Sequence, residues 1–90
     1  MEIIHNPDKK IFSTIVNGYT GYVNYKIENG ELDILHTIVP PQIGGQGIAS
    51  RLVKAAYDYA LSNHLQPAAT CSYAVVWLRK HPEYNANYLK

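Results

Sequence analysis

Apolar residues recur at a spacing of two in the first half of the chain, and at spacings of three and four in the second. Ile11-Phe12-Ser13-Thr14-Ile15-Val16 is rich in β-branched residues, and the Asn17-Gly18 pair after it is a strong hairpin signal. Tyr19 to Ile27 alternates, with Tyr19, Gly21, Val23, Tyr25 and Ile27 on one face and Tyr22 on the other. Glu28-Asn29-Gly30-Glu31 supplies a second Asn-Gly turn. Leu32 to Val39 is apolar enough on both faces to be a central strand. Three strands joined by two such turns predict an antiparallel meander.

From Ile48 the period changes. Ile48, Leu52, Ala56 and Ala60, flanked by Ala49, Val53 and Tyr59, line one face, with Arg51, Lys54 and Asp58 opposite. This predicts an amphipathic helix of about four turns, starting near Gln46 and ending near Asn63-His64. Leu65 to Cys71, with Pro67 near its start, reads as a short strand. Tyr73 to His81 reads as a second helix, with Tyr73, Val76, Trp77 and Lys80 at helical spacing, stopped by Pro82. The order β-β-β-α-β-α predicts an α+β fold, with helices packed on a mostly antiparallel sheet.

Composition narrows the function classes. Ninety residues make one domain, 1–90, whose stability is modest enough for a ligand or second subunit to matter. A formal net charge of +1, with no Lys/Arg run longer than two, argues against nucleic acid or an anionic membrane as the main partner. The expected oligomeric state is a monomer or a weak homodimer. A single cysteine excludes an internal disulfide. The N-terminus shows no secretory pattern, and no apolar run approaches a membrane span, so the chain is expected in the cytoplasm. No metal site is expected.

The junction between the third strand and the long helix gathers two prolines and three glycines. Pro40-Pro41 can end strand pairing and steer the chain into the loop. Gln42-Ile43-Gly44-Gly45-Gln46-Gly47 follows, and then the helix. Glycines let successive amides turn toward one point, and a helix's first turn adds free donors and the positive end of its dipole. Such a junction is an anion cradle that needs no basic side chain. The spacing fits neither the Rossmann nor the Walker pattern.

Read as Gln-x-x-Gly-x-Gly at Gln42, Gly45 and Gly47, the stretch resembles the pyrophosphate motif of the GNAT acetyltransferases. His36-Thr37-Ile38-Val39-Pro40, the Gly-Ile-Ala-Ser-x-Leu-Val of 47–53, Cys71-Ser72-Tyr73 and His81-Pro82-Glu83-Tyr84 resemble a subfamily of very small GNAT-like proteins. The resemblance runs from about residue 3 to 84. It implies a minimal GNAT-like fold and acetyl-CoA (coenzyme A) as co-substrate. Pyrophosphate would then sit on the amides of Ile43, Gly44, Gly45, Gln46, Gly47 and Ile48. The pantetheine arm would pair with the backbone of Ile38 and Val39, where two strands splay apart. The implied activity is N-acetyl transfer to an unknown amine acceptor, by direct attack. A coenzyme-A-binding module with little catalysis is the alternative.

The family's usual sheet glutamate has no obvious counterpart, because Glu31 and Asp33 lie too early in their strand. His36, with an ordinary pKa near 6.5, is either the replacement base or a histidine hydrogen-bonded to a neighbouring strand. Cys71 either takes the acetyl group, lines the thioester channel or simply packs; the dipole of the next helix would lower its thiol pKa. Tyr73 is either the acid or an amphipathic residue at a helix–sheet edge. Lys80 either reaches the coenzyme's phosphates or is a solvated helix end. Trp77 reads as core.

Overall fold

Both Asn-Gly pairs fold as hairpin turns with two successive left-handed residues: Asn17 (φ 51°) with Gly18 (φ 81°), and Asn29 (φ 54°) with Gly30 (φ 78°). The structure, a computed structural model, describes residues 1–84; the end of the expected 1–90 domain lies outside them. The strands are β1 (Ile4–Asn6), β2 (Ile11–Val16), β3 (Tyr19–Glu28), β4 (Glu31–Ile38) and β5 (Gln66–Ala69). The helices are α1 (Ile48–Ser62) and α2 (Ser72–Lys80), and short 3₁₀ turns cover Pro41–Ile43 and Pro82–Tyr84. The α+β class holds, and α1 begins two residues later than its pattern suggests.

The five strands lie in sequence order in one sheet. β1 to β4 are antiparallel, and β5 adds to β4 in parallel, which the α1 crossover makes possible. Strand β1 is an addition to the expected order. It has only three residues, too few for alternation to reveal. Its hold is aromatic: the His5 ring stacks on Phe12 at 3.9 Å, meets the edge of Tyr59 at 4.4 Å and shares a 2.6 Å hydrogen bond with the Tyr25 hydroxyl.

One face of the sheet carries the core. Phe12, Val23, Tyr25, Leu32 and Ile34 pack against Ile48, Leu52, Val53, Ala56 and Ala60 of α1. Helix α2 lies beside α1, contributing Ala74, Trp77 and Leu78, and the Trp77 indole N–H donates to Ser50 Oγ at 2.9 Å. The Tyr57 hydroxyl donates to the carbonyl of Ala68 at 2.7 Å, pinning α1 to β5. Gly21 of β3 lets α1 begin close to the sheet. A Cβ there would lie 3.4 Å from Ile48 Cγ2 and 3.5 Å from the Ile38 carbonyl oxygen.

Strand β4 carries a bulge. Tyr25 lies opposite Ile34, yet Asn24 lies opposite His36, so Leu35 is an extra residue in β4. Unbroken alternation would set His36 and Ile38 beside Leu32 and Ile34, facing the core. The bulge turns both to the opposite, open face and leaves them exposed. Thr37, now opposite the fully buried Val23, turns toward the helices.

Candidate functional site

The loop after β4 is anchored before it is opened. The Ile43 N–H donates to the Pro40 carbonyl at 3.0 Å and the Gly44 N–H to that of Pro41 at 3.1 Å, closing one 3₁₀ turn. The Ile43 side chain is fully buried and ties this turn to the core. The amides of Ile43 and Gly44 are therefore engaged within the turn, and the free donors begin at Gly45, two residues later than the full run of 43–48. Those of Gly45, Gln46 and Gly47 have no main-chain partner among the described residues. Gly47 is the left-handed N-cap of α1 (φ 73°), with no side-chain cap and no acidic residue in the first turn. The amides of Ile48, Ala49 and Ser50 are thus left as the unpaired donors of a helix start. A Cβ at Gly45 (φ 77°) or Gly47 would meet no protein atom within 4 Å. Backbone conformation, not crowding within the protein, calls for glycine there. Gln42 and Gln46 are exposed on this loop.

Beside the loop, β4 and β5 part. Their last pair is Ile34 with Ala69. Beyond it the amides of Thr70 and Cys71 both donate to the Ile34 carbonyl, each at 3.0 Å, closing the apex of a fork. β4 runs on to Ile38, paired only with β3 among the described residues. Its other edge stays open over residues 35–38, roughly 13 Å at 3.3 Å per residue. The Thr70 hydroxyl donates to Asp33 Oδ2 at 2.7 Å across the last rung, and Asp33 Oδ1 is buried with no partner.

Cys71 is the N-cap of α2, on the β5 side of the fork. Its thiol donates to the Thr37 hydroxyl at 3.5 Å. Burial pushes this thiol's pKa up. Once the proton is lost, the Thr37 hydroxyl can turn to donate to the thiolate alongside the amides of Ala74, Tyr73 and Thr37, and these outweigh burial, so the pKa lies below the usual value. Tyr73 stands in the first turn of α2 with its side chain exposed. The fork therefore gathers Cys71, Tyr73 and Thr37.

His36 is not among them. It lies on the open face, paired through Nδ1 to Asn24 Oδ1 at 3.0 Å. With Ser13, Thr20 and Tyr22 it lines a shallow hollow of about 420 Å³. Lys80 is exposed at the far end of α2, on one stripe with Tyr73 and Val76. His81 is occupied, stacked on Trp77 at 3.8 Å and donating from Nδ1 to its carbonyl. Trp77 is core, as its spacing suggests. Thr37 is the residue that alternation misses, since its inward turn depends on the bulge. Among the described residues no three His, Cys, Asp or Glu side chains are grouped to hold a metal ion, and no helix is long and apolar enough to cross a membrane.

With this geometry in place, three comparisons agree. A family model described as GCN5-related N-acetyl-transferase matches residues 11–88. Protein NATD1 of Mus musculus is 30% identical over 89 residues, covering 91% of this chain and 77% of that protein. Protein NATD1 of Danio rerio is 30% identical over 93 residues, covering 93% and 81%. A GCN5-like protein from Staphylococcus aureus, solved in solution by NMR, superposes with a TM-score of 0.73 at 32% identity, covering 93% of this chain and 83% of that one.

Proposed function

Because the chain belongs to the GCN5-related N-acetyltransferase family, we propose that it moves an acetyl group from acetyl-CoA to an amine acceptor in the fork between β4 and β5. One observation carries this reading: a run of unpartnered amides from Gly45 into the first turn of α1, with left-handed glycines at 45 and 47. Such a run suits a pyrophosphate. The open edge of β4, at Ile38 and Val39, offers backbone groups to the amides of the pantetheine arm. Acetyl-CoA supplies an acyl group already activated as a thioester.

The chain's own residues have three tasks. Backbone N–H groups at the fork polarise the thioester carbonyl. His36 takes the proton of an amine arriving over the open face, as nitrogen bonds to the acyl carbon and the carbon–sulfur bond breaks. Tyr73 stands on the other side, where a proton can be returned to the departing sulfur. Cys71 lines the channel, and attack by the amine is direct. A lone thiol suits the reducing cytoplasm, which we take as its location.

A second reading, a coenzyme-A-binding module with little turnover, is favoured by one fact: His36 and Cys71 sit on opposite sides of β4, not together. Both readings share the cradle. Melting the protein with saturating acetyl-CoA should raise its midpoint, since a ligand at a hundred times its Kd adds about 2.7 kcal/mol. Gly45→Val and Gly47→Val should fold and lose that shift. No shift in the wild type would sink both readings. Release of CoA across a panel of amines separates them, for only an enzyme turns over.

A further inference from the structure

The fork has a closed end, and what closes it bears on which acyl groups can enter. We infer that Thr37 and Cys71 together set the acyl chain length, admitting acetyl and turning away acyl groups of four carbons or more. The inference rests on the acyl-CoA reading above and deepens it.

Four observations support it. Both Thr70 and Cys71 amides are tied to the Ile34 carbonyl, so nothing passes the apex. Just short of it, Cys71 Sγ and Thr37 Oγ1 stand 3.5 Å apart across the fork, in contact, with no room for a carbon chain between them. Behind the pair the protein is filled: Val23, opposite Thr37, and Ala74, whose amide faces Cys71, have no exposed surface. Forcing extra methylenes into such packing strains it. The remaining exit lies over the open face by His36, where a longer chain would leave its carbons in water and block the acceptor's approach. Thr37 takes this position only because Leu35 is bulged, so the same extra residue that turns His36 outward builds the stop.

The test compares the binding of CoA, acetyl-CoA, butyryl-CoA and hexanoyl-CoA by calorimetry and thermal melts. The proteins are the wild type, Cys71→Ala, Thr37→Ser and the double variant. In the wild type, butyryl-CoA should bind at least about tenfold more weakly than acetyl-CoA, the low end of what one methylene is worth in a fitted pocket. Cys71→Ala should shrink that ratio several-fold, Thr37→Ser less so, and the double variant most, each acyl affinity being taken relative to the same variant's affinity for CoA. Retained CoA binding shows that each variant folds with its cradle intact, and Thr37→Ser keeps the hydroxyl in case the other changes disturb α2. Acetyl and butyryl thioesters binding the wild type within twofold of each other would overturn the inference. So would a ratio that no variant moves. Failure of the wild type to bind even CoA would instead sink the acyl-CoA reading, and this inference with it.

Discussion

Three amides and a hydroxyl converge on the sulfur of Cys71, and their balance against burial gives this residue a measurable signature. Each donor favours the thiolate, so alkylation by iodoacetamide should rise with pH about a midpoint below that of a free cysteine. Thr37→Val removes the hydroxyl and should move that midpoint upward, and Thr37→Ser should hold it. An unmoved midpoint in Thr37→Val would show that the hydroxyl does not act on the sulfur. Cys71 itself was legible, since a strand–Cys–helix order places it at a helix start. Its partner was not, because alternation along 32–39 assigns Thr37 to the wrong face. Ile43 shows the same limit on the cradle. Its position in the motif was readable, but not that its amide closes a 3₁₀ turn on Pro40.

At the scale of elements, periodicity gave presence but not phase. The Asn-Gly turns and the 3.6-residue stripe from Ile48 are strong local signals, and four strands and two helices follow from them. A bulge leaves no mark of that kind, since an apolar run reads alike with or without an extra residue. β1 escaped for another reason: three residues held by stacked rings depend on partners far along the chain. The bulge makes its own prediction. Deleting Leu35 leaves the pairing on both sides in phase, so the protein should fold, with β4 straighter and the fork narrower. Coenzyme A affinity should then fall at least about tenfold, by calorimetry, while amide NMR spectra keep the dispersion of a folded sheet. Unchanged affinity would mean that the fork does not depend on the bulge.

The molecule as a whole is a single sheet with helices on one side only, and its N-terminal edge is closed by one ring. Phe12 from β2, Tyr25 from β3 and Tyr59 from α1 surround His5. Burial lowers its pKa below the ordinary value. The unfolded chain therefore takes up this proton first as pH falls. Stability should decline once pH drops below about 6.5, and level off below the lowered folded value. His5→Phe should remove this part of the dependence in denaturant titrations from pH 8 to 5. Identical profiles for the two proteins would show that His5 is not its source.

Gly21 lies in β3 beneath Ile48, the first residue of α1, and so sets how near the helix's first turn sits to the sheet. An alanine there would just touch Ile48 Cγ2 and the Ile38 carbonyl oxygen. Anything larger must lift the turn that presents the free amides. On the proposed cradle, a position in the sheet beneath the helix can therefore grade affinity, in evolution or by design. A survey of natural variants scored only by what touches the ligand would pass it over as silent.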